Sequence, residues 1–146
     1  MRRARRFLRL PPRDRRLLAE AAALVVLARL GLWLLPFRSV RGLLARVPAR
    51  ATDARDDNTI TGRIAWAVPV VSACVPAATC LTQALAAQAL LARRGCPAEL
   101  RIGVARGANG MLEAHAWVER DDRVVIGDRA DLSRYSILQI LREELV

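Results

Sequence analysis

Residues 80–95 restrict the fold of this chain more than any other segment, because both ends of a helix are recognisable in them. Thr79 precedes the segment and is a common N-cap residue, and the middle consists of leucine, alanine and glutamine, which favour helix. Two arginines occupy the last turn, where cations stabilise the carbonyl end of the helix dipole. Gly95 supplies the left-handed residue that ends many helices. We therefore expect a helix that begins at Cys80 and ends before Gly95.

Beyond this helix the hydrophobic period changes from 3.6 to 2, which indicates strands. Strands are predicted over residues 100–104, 111–119 and 124–128, and the glycines and asparagine of residues 106–110 favour a loop. A short helix or strand is expected over residues 135–145. One face of the second strand carries Glu113, His115, Trp117 and Glu119, and the other carries Leu112, Ala114, Ala116 and Val118. The fold class is predicted to be α+β, with a helix packed on an antiparallel sheet.

Residues 17–35 are almost wholly apolar, and Asp14 is the predicted N-cap of a helix that begins at Arg15. The length of this segment approaches that of a membrane span. A central Arg29 is costly in hydrocarbon, however, so a buried or membrane-surface helix is favoured over a spanning one. A second short helix is expected over residues 40–47.

The chain is predicted to divide into three parts. Residues 1–50 form an Arg-rich helical segment, residues 51–63 a linker, and residues 64–146 the catalytic core. The linker is expected to be irregular because its sequence is polar and shows neither helical nor strand periodicity. A chain of 146 residues suits one catalytic unit with one core.

The net charge of +10 suggests nucleic-acid binding, but its distribution argues against that function. Residues 1–50 hold 13 Arg and two acidic residues, a charge of +11, whereas residues 51–146 hold 11 Arg and 12 acidic residues, a charge of −1. Few aromatic residues accompany the N-terminal arginines, so bases would find little to stack on. No nucleic-acid partner is expected, while association of this basic segment with a lipid surface stays open.

Cys74, Cys80 and Cys96 are the three cysteines, and they form no C-x-x-C pair. A zinc site would need all three and the single histidine, so no metal site is predicted. No small-residue cleavage site follows the apolar segment, and we expect a cytoplasmic, reducing location with free thiols.

Cys80 is the candidate nucleophile, because free backbone N–H groups at the start of a helix stabilise a thiolate. Its alternative role is that of a small buried apolar residue. His115, the only histidine, lies on a strand and is the candidate general base. Cys74 and Cys96 have no comparable placement and are expected to be inert.

Asp128 is the candidate third member of a triad. If residues 120–123 form a four-residue loop, or residues 121–122 a two-residue turn, opposed residues have numbers that sum to 243. His115 then faces Asp128, and Trp117 faces Ile126. A three-residue loop would break this pairing, and Gly-Asp also suits a plain turn at the end of a strand.

The order Cys, His, Asp on a helix and two strands occurs in papain-like and transglutaminase-like folds. Residues 80–95, 100–104 and 114–119 closely resemble the B2-type lasso peptide biosynthesis proteins, a transglutaminase-like superfamily, and the likeness runs from about residue 66 to 135. The Arg-rich start and the apolar helix after it also look like this group. The spacing to the acid varies in such proteins, so Glu119 or Asp131 is an alternative to Asp128.

The resemblance implies a cysteine peptidase that removes the leader from a ribosomally made lasso peptide precursor and requires no cofactor. Cys80, His115 and Asp128 would then fill the triad roles. The implied partners are the precursor peptide, a small leader-binding recognition protein and an ATP-dependent cyclase that uses the released amine. Two alternatives stay open: a transglutaminase-like acyl transferase, and a non-catalytic module that binds membrane or peptide.

Overall fold

The computed structural model describes residues 6–49 and 57–138. Within residues 12–49 and 57–138, four α-helices precede a four-stranded antiparallel sheet whose strand order is β3-β2-β1-β4. The elements are α1 (Pro12–Leu34), α2 (Phe37–Ala45), α3 (Asp57–Ser72), α4 (Cys80–Arg93), β1 (Glu99–Arg106), β2 (Leu112–Arg120), β3 (Arg123–Ile126), a 3₁₀ turn (Leu132–Arg134) and β4 (Ser136–Ile137). The predicted α+β class is confirmed.

The first helix begins earlier than its sequence suggested. Pro12 occupies the first helical position and Pro11 the N-cap, because proline presets the helical φ and lacks an N–H that would be unpaired there. The prediction of an Asp14 N-cap is therefore wrong. Asp14 lies in the first turn and pairs with Arg63 of α3. The second helix, expected over residues 40–47, forms as α2 and starts three residues earlier.

Residues 57–63 are helical, so the predicted linker is wrong from Asp57 onward. Asp57 accepts a hydrogen bond from Arg120 at 2.7 Å, and Arg120 also donates to Thr61 at 3.1 Å. The start of α3 is thereby tied to the end of β2. Residues 51–56 of the predicted linker, and residues 139–145 of the predicted closing element, lie outside the described residues.

Helix α4 is the centre of the molecule and packs against α1, α2, α3 and the first three strands. Thr79 caps its start by accepting a hydrogen bond from the backbone N–H of Thr82 at 3.3 Å. At its end Gly95 has φ +72°, and the N–H of Cys96 donates to the carbonyl of Leu91 at 2.9 Å. That bond is the six-to-one contact of a Schellman cap. Both predicted ends of this helix are confirmed.

The main core, called the helix-side cluster below, lies between the helices and one face of the sheet. Helix α4 contributes Leu85, Leu90 and Leu91, and the sheet contributes Leu100, Ala116, Val118 and Ile126. The opposite face of the sheet carries a smaller cluster of Ala105, Trp117 and Tyr135. Because successive strand residues point to opposite faces, the predicted division of β2 into two faces is confirmed for Ala116, Trp117 and Val118.

The β2–β3 hairpin contains the two-residue turn that was one of the predicted alternatives. Asp121 and Asp122 have φ +50° and +58°, which aspartate tolerates and which suits the twist of a tight hairpin. Glu119 pairs with Val124 as predicted, but the register shifts by one residue beyond this pair. Val118, not Trp117, pairs with Ile126, so the predicted pairing of Trp117 with Ile126 is wrong. The cause is a β-bulge, an extra residue in β3 that cannot be predicted by counting the residues of the turn.

Candidate active site

Cys80 is the first residue of α4, and its partly buried side chain packs against the helix-side cluster. The first N–H groups of a helix have no partner in the preceding turn and point outward from the helix start. They and the helix dipole therefore stabilise negative charge on Cys80 Sγ. Thr79 fixes this helix start. The position suits a nucleophilic thiolate.

The other two cysteines lie in different environments. Cys74 is exposed and follows α3. Cys96 is fully buried, and its Sγ lies 3.6 Å from an oxygen of Asp57. Burial, with a contribution from Asp57, raises the pKa of the Cys96 thiol, although the charge of Arg120 opposes this rise. A thiol held protonated in this way is a poor nucleophile.

His115 is the fourth residue of β2 and is buried among aromatic side chains, with 8% of its surface exposed. Its ring centroid lies 6.0 Å from that of Trp117, nearly parallel to it, and 5.7 Å from that of Tyr135. Gly103 of β1 pairs with His115 of β2, and a Cβ on Gly103 would lie 2.9 Å from atoms of Trp117 and Tyr135. The glycine therefore leaves room for the rings that hold the imidazole.

A backbone carbonyl orients the imidazole. His115 Nε2 lies 2.7 Å from the carbonyl oxygen of Gly127, the residue that follows β3. Because a carbonyl only accepts hydrogen bonds, Nε2 must carry a proton, and in the neutral ring Nδ1 then holds the lone pair. Nδ1 is consequently the nitrogen that can act as a base.

Gly127 is required at this position by its backbone. Its φ is +83°, and a Cβ would lie 2.8 Å from the carbonyl oxygen of Ala116 and 2.9 Å from Cβ of Trp117. Only glycine combines this conformation with so close an approach to β2. From the sequence, Gly127 was predicted only as a turn residue, and its contact with His115 was missed. A glycine directly after the apolar run of β3 is a signal for such a close approach.

Among the described residues, none of the three candidate acids is hydrogen-bonded to His115. Asp128 is exposed, and within residues 6–49 and 57–138 no hydrogen bond joins it to the imidazole. Glu119 accepts hydrogen bonds from Trp117 at 2.7 Å and Arg101 at 3.2 Å. Asp131 accepts hydrogen bonds from Arg129 at 3.1 Å and from Arg134 at 2.7 Å. The predicted pairing of His115 with Asp128 is replaced by the contact with the neighbouring Gly127 carbonyl.

A charged surface borders the aromatic residues. Arg134 donates to Asp131 at 2.7 Å and to Glu113 at 3.3 Å, and its guanidinium lies 5.6 Å from the ring centroid of Tyr135. The hydrogen bond from Arg134 holds the pKa of Asp131 below its ordinary value, and the same bond raises the pKa of Arg134. In the described part of the chain, no three His, Cys, Asp or Glu residues are grouped so that they could hold a metal ion.

Cys80 and His115 lie on α4 and β2, two elements that pack against each other. Only residues 94–98 separate the end of α4 from the start of β1, and Cys80 lies at the other end of α4. Cys80 packs against the helix-side cluster on one face of the sheet. His115 lies on the other face, beside Trp117. Among the described residues no hydrogen bond joins the thiol to the imidazole.

The comparisons with known proteins agree with this architecture. The family model of the transglutaminase-like superfamily matches residues 21–139, which include α1 from its tenth residue, Ala21, onward and every later described element to β4. No curated protein and no solved structure matches the chain. A match over most of the sequence, on a helix that bears cysteine and a sheet that bears histidine, shows that the chain belongs to the transglutaminase-like superfamily.

Proposed function

We propose that this protein is a cysteine peptidase that removes the leader from a ribosomally made lasso peptide precursor. The observation that carries the proposal is the placement of Cys80 at the capped start of the central helix of a transglutaminase-like domain. The superfamily generally includes cysteine proteases and acyl transferases, which share a thiolate nucleophile. The resemblance of residues 80–95 and 114–119 to B2-type proteins supports the leader peptide as substrate.

In the proposed reaction the Cys80 thiolate attacks the last peptide carbonyl of the leader. A tetrahedral oxyanion forms, and the backbone N–H of Cys80, at the first helical position, is available to stabilise it. The C–N bond then breaks while His115 gives a proton to the departing amine. Water, with His115 as base, cleaves the thioester and releases the leader carboxylate and the free thiol.

The hydrogen bond of His115 supports its proposed role as the base. The Gly127 carbonyl holds the proton on Nε2, so Nδ1 is the atom that would exchange a proton with Cys80 and the leaving amine. Asp128 is proposed as the carboxylate that stabilises the imidazolium through its negative charge, from the position next to Gly127. Catalytic hydrogen bonds are often long in free enzymes and shorten when substrate binds. Because the two side chains pack on opposite faces of β2 in the free chain, we infer that precursor binding rearranges the start of β2 so that Nδ1 reaches the Cys80 thiol.

The partners follow from the chemistry of the substrate and from the resemblance. A small leader-binding protein would deliver the precursor. The amine released by cleavage would pass to an ATP-dependent cyclase, which joins it to a side-chain carboxylate. The proposed location is the cytoplasm, where ATP and ribosomally made peptides are present.

The experiment combines the purified full chain, a lasso-type precursor and its leader-binding protein, and follows leader release by mass spectrometry. Cleavage should occur with wild type and with Cys74→Ala, and it should be lost in Cys80→Ala and His115→Ala. Cys74 is the matched control because it is an exposed cysteine outside the proposed site. Cleavage that survives Cys80→Ala would refute the nucleophile. A leader carboxyl coupled to an added amine, in place of the free acid, would favour acyl transfer over hydrolysis.

A further inference from the structure

The side of α1 that faces away from the core is apolar. Six residues of α1 are buried against the rest of the molecule: Leu17, Leu18, Ala21, Leu24, Val25 and Ala28. The exposed residues on the opposite side form the outward stripe: Ala19, Ala23, Val26, Leu27, Leu30, Trp33 and Leu34. Their spacing of three and four residues aligns them along one face of the helix. A continuous exposed apolar surface of this kind marks an interaction site.

The large residues of the stripe lie in its second half. Trp33 is 71% exposed and Leu30 is 48% exposed. Both residues line an open groove of about 490 Å³, whose other lining residues are Val26, Arg29, Cys74, Val75 and Pro76. The apolar surface therefore extends from α1 onto the turn that follows α3.

The segment of sequence that contains the stripe is strongly basic. Residues 1–50 contain 13 Arg and only two acidic residues, Asp14 and Glu20. Both acids pair with arginines from later in the chain, Asp14 with Arg63 and Glu20 with Arg94. Arg16 is exposed three residues before Ala19, at the start of the stripe. An apolar stripe that begins in a basic cluster is complementary to a surface that offers both negative charge and hydrocarbon.

Helix α1 is long and apolar enough to cross a membrane, with 23 residues and a mean hydropathy of 1.9 over its best window. It also packs against α3 and α4 through its six buried residues. A spanning orientation would remove those residues from the core, whereas binding parallel to a bilayer leaves the packing intact. Tryptophan is favoured at the boundary between headgroups and acyl chains, which suits the exposed Trp33.

We propose that the outward stripe docks the protein on the surface of an anionic lipid bilayer, with α1 parallel to the membrane plane. The stripe inserts its large apolar side chains below the headgroups, and the N-terminal arginines contact lipid phosphates. This docking goes beyond the proposed peptidase activity and does not depend on Cys80 or His115.

The test is co-sedimentation of the full chain with vesicles of phosphatidylcholine alone or of phosphatidylcholine with phosphatidylglycerol. We expect binding to the anionic vesicles that weakens as salt is raised. Arg16→Gln should weaken it roughly fivefold, the effect of one basic residue near a charged bilayer. Trp33→Gln should weaken it about tenfold or more because apolar contact with the acyl region is lost. Met111→Gln, a change of an equally exposed apolar residue far from α1, should bind like wild type.

Three outcomes would overturn the proposal. The first is no binding to anionic vesicles by a wild-type chain whose circular dichroism shows it folded. The second is equal binding to neutral and anionic vesicles. The third is a lipid-independent dimer on size exclusion that Trp33→Gln dissociates, since the stripe would then be a protein interface. Because the changed side chains are exposed, the variants should melt at the wild-type temperature.

Discussion

His115 Nε2 lies 2.7 Å from the carbonyl oxygen of Gly127, so a backbone group orients the only imidazole of the protein. The contact exists because the register shift between β2 and β3, together with the φ of +83° at Gly127, turns that carbonyl towards β2. Trp117 and Tyr135 hold the ring from its sides. In a side-chain triad, an acid would lie beside the imidazole. The candidate acid, Asp128, directly follows Gly127 in the sequence and is exposed.

Gly127→Ala should lower kcat/KM for leader cleavage by about 100-fold, because a misplaced base no longer meets the nucleophile. The added Cβ would also strain the backbone by about 1–3 kcal/mol, so activity must be measured on protein that circular dichroism shows to be folded. Asp128→Asn should cost about tenfold in kcat if the carboxylate acts through its charge alone. A larger loss for Asp128→Asn than for Gly127→Ala would mean that the carboxylate, not the carbonyl, orients the ring.

The three cysteines should differ in their rates of alkylation by iodoacetamide, followed by peptide mass spectrometry. Cys80 should react faster than Cys74 although it is less exposed, because the helix start stabilises its thiolate. Cys96 should stay unmodified until the protein unfolds, because it is fully buried. Equal rates for Cys80 and Cys74 would argue that the start of α4 does not activate the thiol.

Thr79→Ala should destabilise the protein by about 1 kcal/mol, since it removes the cap that accepts the Thr82 N–H. The corresponding fall in Tm is about 3 °C for a chain of this size. Alkylation of Cys80 should slow in the same variant as the first turn of α4 frays. Thr79→Ser keeps the hydroxyl and should restore both properties, which thermal unfolding and the alkylation assay together would check.

Gly103→Ala should destabilise the protein by about 1–3 kcal/mol, because the new Cβ would overlap Trp117 and Tyr135. The displaced rings should also change the near-ultraviolet circular dichroism. Gly62→Ala is the control: Gly62 lies inside α3 with nothing within 4 Å of a new Cβ, so alanine should stabilise the helix by about 0.5–1 kcal/mol. Opposite signs for the two substitutions in urea unfolding are the expected result.

The ion pair between Asp57 and Arg120 should make stability depend on pH. The hydrogen bond from Arg120, helped by one from Cys96, holds the pKa of Asp57 below its ordinary value of 3.8. A carboxyl whose pKa is lower in the folded state stabilises the fold above its ordinary pKa and loses that contribution as pH falls through the folded value. The Tm of wild type should therefore fall more steeply below about pH 4 than the Tm of Asp57→Asn. Asp122→Asn, a change of an exposed turn carboxylate, should follow the wild-type curve.

Much of the fold was predictable because the determining interactions are local. Thr79 and Gly95 define α4 through backbone geometry and caps, and the alternation along residues 111–119 places His115 and Val118 on opposite faces of β2. Cys80 as the first helical residue follows from the same local rules. The start of α1 was missed because proline at the first helical position competes with aspartate as an N-cap, and the start of α3 because its polar first turns lack an apolar period.

Only the tertiary structure decided how these elements meet. A bulge after the β2–β3 turn moves every later pair by one residue, and that shift gives His115 the carbonyl of Gly127 in place of the side chain of Asp128. The hairpin turn alone does not determine this, since a bulge depends on how β3 packs and twists against its neighbours. In the same way, apolar residues surround α1 on all sides, and only its packing on α3 and α4 decided which of them form the core and which form the outward stripe. Local rules determine where a helix or strand begins, whereas burial of one face is a property of the assembled molecule.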